Sequence, residues 1–144
     1  MSIRQNVSIT VLLASALLLG GEVSAQSNEI KIGQTMPYSG PLAVWGIFGK
    51  AASAYFAKVN DDGGINGRKV NFLSYDDSYS PPKALEQTRK LVEQENVQAI
   101  FATGGTAVNT AIQRYLNDRK IPQLFITSGG GRFADPKGHP WTIG

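Results

Sequence analysis

The sequence predicts an α/β fold in which a parallel sheet carries helices on both faces. Short apolar runs rich in β-branched residues alternate with longer segments whose apolar residues recur at helical spacing. Such alternation favours a parallel sheet, because each helix forms the crossover between two strands. The 144 residues, 42% of them hydrophobic, are enough for one domain with a sizeable core.

The first 25 residues have the pattern of a signal peptide for export. Arg4 supplies a positive charge, an apolar run follows from Val7 to Leu19, and small residues precede the expected cleavage site after Ala25. The apolar run is shorter than the roughly 20 residues that cross a bilayer, which disfavours the alternative of a transmembrane anchor. We therefore predict a periplasmic protein without a stable membrane anchor after cleavage.

The composition restricts the chemistry that this chain can carry out. Because the sequence contains no cysteine, a lipoprotein anchor, disulfides and thiolate metal sites are excluded. The net charge is +3, and the basic residues are spread among acidic ones rather than clustered with aromatic residues. We expect no nucleic-acid partner, no metal and no cofactor.

The first half of the mature chain predicts a strand, a long helix and a second strand. Residues 30–36 alternate around β-branched side chains, and a proline-glycine turn follows them. The second strand begins at Val70 and ends at Tyr75-Asp76-Asp77. Between the strands, Asp61-Asp62-Gly63-Gly64 ends a helix whose predicted apolar stripe consists of Trp45, Phe48, Ala52, Tyr55, Phe56 and Val59.

The second half repeats the pattern. A helix begins near Pro82, and residues 99–102 form a buried strand followed by a helix for which Thr106 is the expected N-cap. A fourth strand is predicted at Leu124-Phe125-Ile126, and the tail from Arg132 is expected to be irregular.

Glycine and small hydroxyl residues recur where the predicted strands end. They follow the first strand at Ser39-Gly40, the third at residues 103–106 and the fourth at residues 127–129. Tight turns need glycine and serine in any α/β protein, so one such loop alone is weak evidence. In a parallel sheet, however, these ends meet at the edge where ligands bind, and the helix after residue 105 offers free backbone N–H groups to an anion. The recurrence predicts a ligand cleft.

Catalytic and nucleotide-binding signatures are weak. The sequence has neither G-x-G-x-x-G nor a full Walker A motif, and its single histidine, His139, lies between Gly138 and Pro140. The carboxylates of Asp76 and Asp77 are adjacent in sequence, and Asp76 is a candidate to position a cleft loop through backbone hydrogen bonds. We predict no catalytic residues. Candidates for an aromatic wall are Tyr38, Trp45, Phe48 and Tyr79.

Several motifs occur in an order that resembles the branched-chain amino acid type of periplasmic solute-binding protein, a type I periplasmic binding protein. These are MPYSG at 36–40, GGING at 63–67, YDD at 75–77 and GGT at 104–106. The resemblance covers nearly all of the mature chain. It implies a signal peptide at 1–25 and, at 26–144, a truncated N-terminal Rossmann-like lobe with the second lobe absent. A sheet edge and apolar surface would then remain uncovered.

The resemblance also implies a function: the extracytoplasmic solute-binding component of an ABC importer, with ABC permease subunits as partners. In that family, the loop after the third strand holds the ligand carboxylate, which implies Gly105 and Thr106 here, with Ala107 as a further candidate. The loop after the fourth strand holds the ligand ammonium, which implies Ser128 and Gly129. The full predicted ligand-binding set is Ser39, Gly104, Gly105, Thr106, Ser128 and Gly129.

The expected ligand is a small carboxylate-bearing solute, with leucine, isoleucine or valine as the first choice. Gly131 stands where many amino-acid binders carry Thr or Ser, which leaves room for carboxylates that lack an amine, aromatic acids included. Two other classes remain open: a ligand-sensing domain of a regulatory system and an exported α/β hydrolase.

Overall fold

A computed structural model describes residues 28–144, so the predicted signal peptide lies outside the described residues. Within these residues, five strands and three α-helices form one α/β unit, together with 3-10 turns at Ala43–Trp45 and Gly131–Phe133. The strands are β1 (Ile30–Met36), β2 (Val70–Asp76), β3 (Ala99–Phe101), β4 (Gln123–Leu124) and β5 (Thr142–Ile143). The helices are α1 (Gly46–Asp61), α2 (Pro81–Glu93) and α3 (Thr106–Asp118).

All strand pairs are parallel, and the order across the sheet is β2-β1-β3-β4-β5. The direction of the connections therefore reverses at β1, with β2 on one side and β3 on the other. Because crossovers between parallel strands are right-handed, this reversal places α1 on one face and α2 with α3 on the other. The predicted α/β architecture with helices on both faces is confirmed.

The main core lies between the sheet and the two helices α2 and α3. The helices pack on each other and on β3 through seven buried residues: Ala84, Leu91, Val97, Ile100, Val108, Ile112 and Leu116. Gly33 lets this layer approach β1, since a Cβ at that position would lie only 3.0 Å from Ile100 Cδ1 and 3.2 Å from Leu91 Cδ1. Burial of these side chains is the principal stabilising contribution to the lobe.

On the opposite face, α1 packs on β1 and β2 and reaches β3 through Phe56. Phe56 of α1 packs on Phe72 and Phe101, with ring centroids 5.0 and 5.5 Å apart. Next to Phe101, the ring of Phe125 lies 5.8 Å away and is 60% exposed, and Ile143 on the edge strand is 53% exposed. These two side chains leave apolar surface exposed on this face of the sheet.

A hydrogen-bonded layer joins three strands beneath α1. Gln34 of β1 donates from Nε2 to the carbonyl of Ala102 (3.1 Å), and its Oε1 accepts from Ser74 Oγ (2.8 Å). The hydroxyl of Tyr38 lies 2.5 Å from Ser74 Oγ. Gly49 of α1 lies directly over this layer, because a Cβ there would overlap the Tyr38 hydroxyl and come within 2.9 Å of Gln34 Oε1.

Two predictions of local structure are wrong, and a third is only partly right. Phe48 and Tyr55 do not belong to a buried stripe, because α1 turns only its Phe56 side toward the sheet and leaves them 51% and 65% exposed. The fourth strand ends at Leu124, because Phe125 has a left-handed backbone (φ 55°) that breaks the ladder. The tail from Arg132 is irregular over most of its length, as predicted, but it ends in the two-residue strand β5, which pairs with β4.

Within residues 28–144, none of the helices is long and apolar enough to cross a membrane.

We expect Gly49→Ala to lower the free energy of unfolding by about 1–3 kcal/mol, because the added methyl group must displace Tyr38 and Gln34. Urea unfolding followed by circular dichroism measures the change. Gly131→Ala is the matched control, since a Cβ there meets nothing within 4 Å. Equal stability of the two variants would contradict the close approach of α1 to the sheet.

Candidate functional site

The candidate site lies at the carboxyl edge of the sheet, beside the reversal between β1 and β3. The loops that follow β3 and β4 are joined there by backbone hydrogen bonds: Gly105 N donates to Thr127 O (2.9 Å), and Thr127 N donates to Thr103 O (3.2 Å). Ala102 begins the first loop with a left-handed backbone (φ 50°). The two glycine-hydroxyl loops predicted from the sequence therefore form one continuous surface.

Helix α3 presents its N-terminus at this surface. Its N-cap is Gly105, not Thr106 as predicted, because Gly105 has a non-helical backbone (φ 95°, ψ 146°) and its carbonyl accepts the N–H of Asn109 (3.3 Å). Thr106 and Ala107 are the first two helical residues, and both are exposed. Helix geometry leaves their N–H groups without intrahelical partners, and no side chain among residues 28–144 caps the helix.

Two hydroxyl groups flank this helix start. Thr106 Oγ1 and Ser128 Oγ lie 2.6 Å apart, and Ser128 Oγ also accepts the N–H of Gly130 (3.1 Å). Gly129 is exposed beside them, with open space around its Cα. The structure thus brings Gly104, Gly105, Thr106, Ser128 and Gly129 to one place.

An aromatic pair borders the same loop. The ring of Tyr79 lies against Gly105 so closely that a Cβ there would overlap it, which requires glycine at this position. Trp45 meets Tyr79 edge-on with ring centroids 6.2 Å apart, and a Cβ at Gly104 would lie 3.6 Å from the Trp45 ring. Of the four predicted wall candidates, Trp45 and Tyr79 lie at the site, both partly buried.

Ser39 belongs to a separate cluster centred on Asp76. Asp76 Oδ1 accepts the N–H groups of Tyr38 (2.9 Å), Ser39 (3.1 Å) and Ser78 (3.0 Å). Its Oδ2 accepts from Ser39 Oγ (2.6 Å) and from Lys83 Nζ (2.7 Å). The predicted role of Asp76 in positioning a loop is confirmed, and the Ser39 hydroxyl is used within this cluster.

The two adjacent carboxylates have opposite pKa shifts. Burial raises the pKa of Asp76, but hydrogen bonds from Lys83, Ser39 and Ser78 outweigh it and hold that pKa well below its usual range. The pKa of Asp77 is raised by burial, although its carboxylate accepts the N–H of Tyr79 (2.8 Å). Asp77 thereby fixes the turn that holds the Tyr79 ring against the loop after β3.

Sequence reasoning did not identify Lys83 as part of the Asp76 cluster, nor Asn109 as part of the candidate site. Lys83 lies in the first turn of α2, and only the fold brings it to Asp76. Asn109 lies one turn into α3, where its side chain donates to the carbonyls of Thr103 (2.8 Å) and Gly105 (2.7 Å). The sequence does contain one indication of this role. Asn109 follows Gly105 by four residues, and this spacing places the side-chain amide of Asn109 one turn below the start of the helix.

The arrangement is suited to holding an anion by hydrogen bonds. It offers two exposed N–H groups, two hydroxyls and the positive end of a helix dipole. The single histidine of the sequence, His139, lies away from this arrangement, in the segment before β5. Its Nδ1 is 3.7 Å from Asp135 Oδ2. In the part of the chain that the structure describes, no three His, Asp or Glu side chains are grouped to hold a metal ion.

Comparison with known proteins identifies the family. The family described as "Periplasmic binding protein" matches residues 29–144, which is most of the chain. The chain belongs to the periplasmic binding protein family. The fold and the motif order that resemble the type I members of this family agree with that match.

Individual periplasmic binding proteins support the assignment. A Leu/Ile/Val-binding protein homolog of Brucella abortus is 33% identical over 95 residues, which cover 65% of this chain and 23% of the relative. A substrate-binding protein of a branched-chain amino acid transporter from Streptococcus pneumoniae, solved with isoleucine, has the same fold (TM-score 0.72, 24% identity, 78% of this chain and 32% of that one).

A solute-binding protein of an ABC transporter from Rhodopseudomonas palustris, solved with benzoate, gives a TM-score of 0.59 at 29% identity. The match covers 67% of this chain and 26% of that one. The chain thus spans about a quarter of the length of the curated relative that it matches.

We expect Asp76→Asn to reduce both the stability and its dependence on acid. Because the pKa of Asp76 is lowered by folding, its contribution is complete above the unfolded value of about 3.9 and is lost as the pH falls toward the folded value. Urea unfolding at several pH values from 7 to 2.5 measures this. Asp118→Asn, at a 70% exposed carboxylate, is the control. Parallel stability–pH curves for the protein and the Asp76 variant would contradict the prediction.

Proposed function

We propose that this chain is the N-terminal ligand-binding lobe of a solute-binding protein for an ABC importer, and that it holds a small carboxylate-bearing solute. Residues 26–144 would form the lobe after removal of a signal peptide at 1–25, in the periplasm. The observation that carries the proposal is the start of α3, where the N–H groups of Thr106 and Ala107 lie beside the hydroxyl pair Thr106–Ser128. Binding proceeds without a chemical reaction.

The ligand carboxylate would lie over the N-terminus of α3. One carboxylate oxygen would accept from the backbone N–H groups, and the other from the hydroxyls of Thr106 and Ser128. Charge-assisted hydrogen bonds of this kind are about twice as strong as neutral ones. The helix dipole adds to the attraction. Gly104 and Gly105 keep this surface free of side chains, so that a ligand can approach the backbone.

Leucine, isoleucine and valine are the first candidate ligands. The name of the Brucella relative supports branched-chain amino acids, and Trp45 and Tyr79 offer an apolar wall for their side chains. Aromatic carboxylates are the second candidate. They are favoured by the lack of a hydroxyl at Gly131, by the benzoate-bound neighbour and by the same aromatic pair, which can stack on a ring.

Two other classes of protein, a sensor domain and a hydrolase, can be distinguished from a solute-binding protein by experiment. A sensor domain of a regulatory system would use the same lobe and would be encoded beside a kinase or regulator gene instead of permease genes. An exported hydrolase would turn over an ester or phosphate substrate, which the isolated position of His139 disfavours. Assay of the chain against such substrates distinguishes an enzyme from a binding lobe.

Titration of the 15N-labelled chain, followed by NMR, tests the ligand class. Leucine, isoleucine and valine form one panel, and benzoate with hydroxylated benzoates forms the other. Shifts of the amide signals of Thr106 and Ala107 that saturate with one panel would identify the ligand class. Silence with both panels would overturn the proposal.

We expect Thr106→Ala to weaken carboxylate binding by about 1–3 kcal/mol, because the ligand oxygen loses a hydroxyl partner. The same titration gives the dissociation constant. Thr110→Ala, one turn further along α3, is the control and is expected to bind as the unaltered chain does. Unchanged affinity in the Thr106 variant would mean that the carboxylate is held elsewhere.

A further inference from the structure

Asn109 is a fully buried polar residue in α3, and every hydrogen-bonding group of its side chain is used. Nδ2 donates to two carbonyls of the loop after β3, Thr103 O at 2.8 Å and Gly105 O at 2.7 Å. Oδ1 accepts from Nε2 of Gln123 at 2.9 Å, and Gln123 is itself only 1% exposed. A buried amide satisfied on both sides has a single favourable orientation.

This orientation fixes the peptide group that faces the candidate ligand. The carbonyl of Gly105 accepts both the side chain and the backbone N–H of Asn109, so it is directed into the helix. The peptide unit is planar and trans, so the N–H of Thr106 points opposite to the carbonyl of Gly105. Because these hydrogen bonds hold the Gly105 carbonyl toward the helix interior, the Thr106 N–H points outward, toward the cleft.

The hydrogen bonds of Asn109 continue through the core to the edge of the sheet. Gln123 lies on β4, and its Oε1 accepts weakly from Thr142 Oγ1 on β5 (3.4 Å). Thr142 Oγ1 in turn accepts from Nδ2 of Asn117, near the end of α3 (2.8 Å). The chain of side chains begins at the site and returns to the helix that carries it, so that β4 and β5 hold the Asn109 amide in place.

We propose that Asn109 is a positioning residue of the ligand site: it holds the Thr103 and Gly105 carbonyls inward and thereby aims the Thr106 amide at the ligand carboxylate. The inference rests on the proposed function, because it assigns a role within the same site. It adds a residue that contacts no ligand and acts only through the backbone of its neighbours.

A pair of substitutions tests the role of the side-chain donor. Asn109→Ala removes both donor contacts, whereas Asn109→Ser retains one, since a serine hydroxyl in a helix donates to the carbonyl four residues earlier, here that of Gly105. Ile112→Ala, in the same helix and fully buried, is the control for lost stability without loss of the loop contacts. We expect about tenfold weaker carboxylate binding in the alanine variant, substantial recovery in the serine variant and unchanged affinity in the Ile112 variant.

Two readouts separate this inference from the proposed function. Titration with leucine and with benzoate gives affinities, while the residual dipolar coupling of the Thr106 N–H reports its orientation without any ligand. A changed coupling in the alanine variant, restored in the serine variant, supports the positioning role even where no ligand binds. An unchanged dipolar coupling in the alanine variant overturns the positioning role. Equal ligand affinity of the alanine variant, the serine variant and the unaltered chain also overturns it.

Failure of the alanine variant to fold does not end the test. Asn109→Leu keeps a similar volume and removes the donor to the two carbonyls without burying a charge, so it serves in its place. An affinity loss in the Ile112 variant equal to that of the Asn109 variants would show that only stability matters, which would overturn the inference.

Discussion

The reversal of strand order at β1 is the constraint on which the candidate site depends. Because β2 and β3 lie on opposite sides of β1, the helices that follow β1 and β3 (α1 and α3) lie on opposite faces of the sheet and leave a crevice at its carboxyl edge. Everything assigned to ligand binding borders this crevice: the start of α3, the hydroxyl of Ser128 and the rings of Trp45 and Tyr79. A sheet with strands in sequential order would bring the same residues to one edge without the gap between helices.

Much of this arrangement was predictable because it follows from local chemistry. Alternation identified β1, helical spacing identified α2 and α3, and glycine-hydroxyl loops marked the strand ends that meet at the site. The role of Asp76 was also predictable, since a carboxylate at a strand end commonly accepts backbone N–H groups. Its environment explains why it stays ionised, whereas burial raises the pKa of the neighbouring Asp77.

The remaining features depend on contacts between distant segments. A two-residue strand such as β5 has no sequence pattern and exists through its pairing with β4. Phe48 and Tyr55 satisfy the helical spacing of a buried stripe, yet α1 meets the sheet through its Phe56 side, so they lie outside its contact surface. In the sequence, Asn109 cannot be distinguished from any other helical asparagine. Its role follows only from the fold, which places the carbonyls of the preceding loop and Gln123 around its side chain.

The turns at the site have a consequence for binding energetics. Ser78, Tyr79, Ala102 and Phe125 all have left-handed backbones at the ends of β2, β3 and β4. For residues other than glycine each costs about 1–2 kcal/mol. Hydrogen bonds such as those from the Tyr79 N–H to Asp77 Oδ1 and from the Ala102 N–H to the Leu124 carbonyl offset this cost on folding. A ligand bound at the proposed site would therefore meet loops that are already ordered, and little of its affinity would be lost to conformational entropy.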